Sequence, residues 1–147
     1  MKDRDKNKVK DRDKNKDRRQ VVVICLNSEL DIPLYRQLST QIMESLVRGE
    51  LSTGDTLPSV RALAGDLGVN MHTVNKSYHD LEAKGIIEIV AKKGAVIKAQ
   101  DQKITTQRLE HLSSEFKPMV VEALLSGMDE TKIHTLITNI ISTVRED

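Results

Sequence analysis

The chain has no tryptophan, one phenylalanine, two tyrosines, one cysteine and three prolines among its 147 residues. So few rings leave little to line an aromatic pocket, and the sequence identifies no small-molecule effector; the two C-terminal helices described below could enclose one only across a dimer. A lone Cys25 cannot form an internal disulfide, so a reduced, cytoplasmic setting is expected, with Cys25 as a small core side chain. No run of about eighteen apolar residues occurs, and no membrane crossing is expected. Residues 21–26 are apolar but too short for a signal-peptide core, and they read as an edge strand before the first helix. His72, His79, His111 and His134 lack metal-ligand spacing, and neither a glycine-rich phosphate loop nor a nucleophile motif is present. No enzyme, metal or cofactor is therefore expected. The length suits one ordinary domain, or a small domain with an accessory segment.

Charge is nearly balanced at a formal net of +1, but it is unevenly distributed. Residues 1–20 carry ten Lys or Arg against five Asp, residues 27–98 carry eight basic against nine acidic side chains, and residues 99–147 carry five against eight. The first block repeats itself: Lys2-Asp3-Arg4-Asp5-Lys6-Asn7-Lys8 returns at residues 10–16. With almost nothing apolar to bury, residues 1–20 should form a disordered charged tail. Two roles stand open for it, a tethered basic arm that adds non-specific phosphate contacts, or a solvated extension with no role of its own.

The densest signal lies between Leu57 and Ala91. Leu57-Pro58-Ser59-Val60-Arg61 opens a short helix: Ser59 can cap free amides, and Val60, Leu63, Ala64 and Leu67 share one face, with Arg61 opposite. Gly68 can take the left-handed conformation that stops this helix, Val69 plugs the turn, and Asn70 caps the next one. Val74, Ser77, Tyr78 and Leu81 then face inward at helical spacing. Met71, His72, Asn75, Lys76 and His79 stay outside. Gly85 ends the second helix, residues 86–90 read as a strand, Lys92-Lys93-Gly94 as a turn, and Ala95-Val96-Ile97 as the return strand. Any amphipathic helix pair shows such periodicity. The order of cap, external arginine, tight turn and basic-tipped hairpin is what points to a helix-turn-helix with a wing.

From Pro33-Leu34-Tyr35-Arg36-Gln37-Leu38 through Gly49-Glu50-Leu51, Gly54-Asp55 and Leu57-Pro58-Ser59-Val60-Arg61 to Ile97, the chain resembles the winged-helix domain of GntR-type bacterial transcription regulators. The resemblance implies sequence-specific DNA binding, and often control of the regulator's own operon together with an ABC transporter. Physical reasons stand beside it. Ile32, Leu34, Leu38, Ile42, Leu46 and Leu51 make a helical stripe begun by Pro33, and Gly49 with Gly54-Asp55 allows the turn that returns this helix to the other two. Only about fifty residues follow the wing, too few for the aminotransferase-like or large helical ligand-binding regions of some family members. That short end resembles the YtrA-like branch, whose members dimerise through a helical hairpin.

The candidate DNA-binding residues are Ser59, Arg61, Asn70, His72, Thr73, Asn75, Lys76, Lys92, Lys93 and Gly94. Arg61 can grip phosphate or the O6/N7 edge of guanine, and the resemblance points to the same residue. Ser59 and the helix-start amides can hold a phosphate. Asn70 reads mainly as a cap. His72, Thr73 and Asn75 suit the major groove, Asn75 through adenine and Thr73 through phosphate or a thymine methyl, while Lys76 positions. Family members often carry Arg where Met71 and Asn75 stand, and their wings commonly have two glycines around a basic residue where this one keeps Gly94 alone.

Beyond the wing, Leu109, Leu112, Phe116, Met119, Val120, Ala123 and Leu124 form one apolar stripe, Gly127 and Asp129 mark a stop and a start, and Ile133, Leu136, Ile137, Ile140, Ile141 and Val144 form another. Pro118 should kink or divide the first of these helices near residues 115–117. Two short helices bury so much apolar surface either on a second copy or back on their own winged helix. Pairing with a copy also supplies the symmetry a palindromic operator needs. The expected interface is Leu112, Phe116, Met119, Val120, Ala123, Leu124, Ile133, Leu136, Ile137, Ile140 and Ile141.

The expected molecule is thus mainly α with a small β wing: a tail over 1–20, a winged helix-turn-helix domain over 21–98, and a helical dimerisation hairpin over 99–147. Its expected function is that of a repressor, binding double-stranded operator DNA as a homodimer with no membrane partner. The rival is a winged-helix module for protein interaction, with only tail-driven, non-specific DNA affinity.

Overall fold

The computed structural model describes residues 23–100 and 103–146, so the expected tail of residues 1–20 lies outside the described part. The described residues fall into two compact units divided between Ala99 and Gln100. The first contains α1 (Leu34–Val47), β1 (Thr56–Leu57), α2 (Val60–Leu67), α3 (Met71–Ala83), β2 (Ile87–Val90) and β3 (Gly94–Ile97). The second contains α4 (Thr106–Leu125) and α5 (Glu130–Arg145). The architecture is mainly α with a small wing.

The core forms where the helical stripes meet. Leu38 and Ile42 of α1, Leu63 and Ala64 of α2, and Val74, Tyr78 and Leu81 of α3 are buried together with Leu57, Ile87, Ala95 and Ile97 of the sheet. Small residues let α1 and α3 approach closely: Ser39 and Ser77 are buried and their hydroxyls lie 2.9 Å apart. Each then satisfies the other in a place where an unpaired hydroxyl is costly.

Side-chain caps set the helix-turn-helix boundaries. Ser59 Oγ accepts from the Ala62 amide at 3.2 Å, and Asn70 Oδ1 accepts from His72 at 2.8 Å. Between them Gly68, at φ +67, reverses the chain in a conformation that a β-carbon disfavours. Pro58 lies one residue before the cap, and Pro33 is itself the cap position of α1. Ile32, expected on the α1 stripe, lies outside the helix and is exposed.

The sheet has the order β1-β3-β2, antiparallel throughout, with Leu57 opposite Ala95 and Val90 opposite Gly94. Strand β1 has only two residues and was not foreseen, because its signal is its pairing with β3 rather than any local pattern. Glu82 of α3 ties down the wing, its Oε2 accepting from the Ile89 amide at 2.8 Å.

Three further expectations fail. Residues 23–26 belong to no strand: the Gln41 side chain accepts from the Cys25 amide at 2.8 Å and donates to the Cys25 carbonyl at 2.6 Å, taking the place of a strand neighbour. In that alternating segment Ile24 and Leu26 pack on the core while Cys25 is exposed, so it is not a core side chain. Pro118 does not divide its helix, since α4 runs unbroken through it. The proline removes one amide donor, and with the surrounding turn exposed in the single chain, water can take up the Ser114 carbonyl left over.

In the second unit Thr105 caps α4 and Asp129 caps α5. The two helices make few close backbone approaches to each other. Their apolar stripes are largely uncovered: Phe116 is 48% exposed and Ile140 53%. Ile133, expected at an interface between copies, is the exception, being buried within the single chain. No helix among the described residues is long and apolar enough to cross a membrane.

Candidate nucleic-acid interface

Two contacts on the segment Leu57-Pro58 position the surface around Arg61. Tyr78, fully buried in α3, donates its hydroxyl to the Pro58 carbonyl at 2.7 Å. From the wing, Gly94 closes on the same segment. A β-carbon there would collide with the Leu57 carbonyl oxygen and lie 2.9 Å from that of Pro58, and Gly94 has φ +118. The recognition helix and the wing therefore both fix the chain immediately before Ser59 and Arg61.

Both contacts are testable. Gly94→Ala adds a collision to a disfavoured backbone and should destabilise the fold by about 2–4 kcal/mol, read from urea denaturation. Tyr78→Phe leaves the Pro58 carbonyl without its donor and should cost about 1–2 kcal/mol. Burial also raises the Tyr78 phenol above its ordinary value of 10.0. A group whose folded value is raised contributes its full stability below the unfolded value and loses it as pH climbs toward the folded one. Stability should hold up to about pH 10 and then fall, and Tyr78→Phe should lack that part of the alkaline slope.

The start of α2, the start of α3 and the wing surround one cleft of about 530 Å³. Ser59, Arg61, Met71 and Lys92 line it, with Val60, Ile89, Val90 and Gly94 completing its walls. No acidic side chain is among them. The Arg61 and Lys92 side chains are exposed and have no ion-pair partner among the described residues, so an anion could be met without breaking an existing pair. Lys92 holds φ +66, the only positive value among described non-glycine residues, which closes the wing turn.

The expected DNA-binding residues divide among several places. Ser59, Arg61, Lys92 and Gly94 meet at this cleft, though Gly94 is buried and its observed task is to let the wing close. Lys93 lines a different hollow, beside Asp66 and Leu67. Asn70 commits its side-chain oxygen to capping. His72 and Asn75 are exposed on α3, and Thr73 is half-buried. Lys76 is exposed too, but its ammonium stands 4.3 Å from the centroid of the Tyr35 ring, a cation–π contact. Tyr35, Tyr78 and Glu82 support this surface and were not singled out for it. Their partners lie in other elements, and no local spacing reveals them.

A three-helix core, a recognition helix with an exposed outer face and a wing with cationic side chains at one acid-free cleft define a winged-helix DNA-binding protein. Residues 34–97 match the family described as bacterial regulatory proteins, gntR family. The HTH-type transcriptional repressor YtrA of Bacillus subtilis (strain 168) is 30% identical over 124 residues, covering 84% of this chain and 95% of that protein. Among solved structures, the transcriptional antiterminator from Listeria monocytogenes EGD-e superposes with a TM-score of 0.77 at 28% identity, covering 85% of this chain and 94% of that one. YtrA from Sulfolobus acidocaldarius, a GntR-family transcription factor, superposes at 0.55 with 37% identity, over 70% of this chain and 98% of that one. The chain belongs to the GntR family of DNA-binding transcription regulators, on its YtrA-like branch.

Proposed function

We propose that this regulator is a cytoplasmic repressor that binds a palindromic operator as a homodimer. The observation that carries the DNA-binding half is the cleft where Arg61, Lys92 and the capped start of α2 converge with no acid among its lining. In this arrangement α3 enters the major groove and offers His72, Thr73 and Asn75 to base edges. Arg61 takes a guanine or a phosphate, Ser59 and the α2 amides hold the backbone, and the wing follows it with Lys92 and Lys93. Lys76 leaves the Tyr35 ring or shares it while meeting a phosphate.

Dimerisation rests on the uncovered stripes of α4 and α5. Leu112, Phe116, Met119 and Leu124 on one helix and Leu136, Ile137, Ile140 and Ile141 on the other are exposed in the single chain. Exposed apolar surface of this extent on two neighbouring helices favours a partner, and a second copy supplies one with twofold symmetry. Repression is supported by the name of the Bacillus subtilis relative.

Selection of duplexes from a random-sequence pool by the full-length chain tests the whole proposal. An inverted repeat with half-site centres about 10 base pairs apart, or a multiple of that, is the expected product. Enrichment of a single unrepeated element would sink the dimeric reading, and no enrichment would sink sequence-specific binding.

A further inference from the structure

We propose that Met71 reads the C5-methyl group of a thymine in each half-site. The proposal rests on the DNA-binding reading above and assigns a base to a residue not counted among the DNA contacts. Met71 is the first residue of α3 and is 45% exposed. It belongs neither to the buried core nor to the half-buried side chains packed around it. It lines the cleft together with Ser59, Arg61 and Lys92, on the surface the cationic side chains share.

The helix does not need a methionine there. Asn70 already caps it, and His72 and Thr73 beside it are polar. An apolar side chain left partly in water at the start of a recognition helix gains free energy when DNA covers it. The major groove offers one apolar group, the thymine methyl, whereas phosphates and the O6/N7 edge of guanine offer a thioether no donor, and the amino groups of cytosine and adenine find in its sulfur only a weak acceptor. Methionine has three rotatable bonds and a polarisable sulfur, so it can follow the methyl without exact placement. Arg61 in the same cleft suits guanine, so the thymine should lie close to a guanine in the half-site.

Replacing thymine by uracil removes the methyl and leaves every hydrogen-bonding group and the sugar unchanged. The test takes the duplex enriched from the random pool and replaces its thymines by deoxyuridine one at a time, measuring anisotropy with the full-length chain. One thymine per half-site should stand out, with binding about fourfold weaker per replacement and about 15-fold weaker when both half-sites are changed. Met71→Ala should lose a similar factor on the thymine duplex and become indifferent to that uracil, while Met71→Leu should keep the sensitivity. Unchanged thermal unfolding of both variants, followed by circular dichroism, would tie these losses to contact rather than folding. A flat uracil scan, or a Met71→Ala variant that still responds to the same uracil, would overturn the proposal and leave DNA binding intact. A pool that yields no enriched sequence would remove the DNA-binding reading and this one with it.

Discussion

Ile137→Glu combined with Ile140→Glu is expected to turn the chain into a monomer and weaken its binding to an inverted repeat by about 10²- to 10⁴-fold. Both side chains are exposed in the single chain, so the substitutions break no contact within the chain's own core. In a dimer they would bury two carboxylates per copy against an apolar stripe, where an ion without a partner is strongly disfavoured. The lost affinity would be that of tethering. Two linked reading heads bind a repeat far more tightly than one, although each makes the same contacts as before. Sedimentation equilibrium reads the first effect and anisotropy the second. A double variant that remains dimeric would place the interface elsewhere, and a wild-type chain that sediments as a monomer would remove it.

Arg61→Ala is the second large effect. A guanidinium that donates two hydrogen bonds to guanine contributes about 1–3 kcal/mol of discrimination, so a symmetric dimer should lose at least about 30-fold in affinity for its operator. Binding to unrelated DNA should change little, because phosphate contacts from other cations remain. Arg61→Lys should not rescue the preference, since lysine offers a point charge rather than a planar fork. If Arg61→Ala weakens operator and scrambled duplex by the same factor, Arg61 holds a phosphate and base reading passes to the residues of α3. Folding is not at stake, because Arg61 is exposed and the α2 cap belongs to Ser59.

The parts of this molecule that were legible in the sequence are those whose causes are local. Ser59 and Asn70 cap their helices through hydrogen bonds to amides three and two residues away, Gly68 ends the first helix through its own backbone conformation, and the composition of the segment announces all three. The inward stripe of α3 was legible because its period is that of the helix. What stayed hidden depends on partners far along the chain. The close approach of Gly94 to the Leu57-Pro58 backbone is invisible in the wing's own residues, because it follows from the pairing of Leu57 with Ala95. Gln41 replaces a strand partner for Cys25 from sixteen residues away. Lys76 looked like a free phosphate contact because nothing in its own helix reveals Tyr35, which belongs to α1. The two wing lysines, adjacent in sequence, line different hollows. Pro118 misled for another reason: one missing amide is tolerable in a long helix whose surroundings are exposed.

The most direct test of sequence-specific operator binding is fluorescence anisotropy of the full-length chain, at near-physiological salt, against the enriched inverted repeat and a scrambled duplex of the same composition. The expected result is a preference of about 10³-fold or more for the repeat. Equal affinity for both duplexes would contradict it, and would leave the charged residues at the start of the chain as the source of DNA binding.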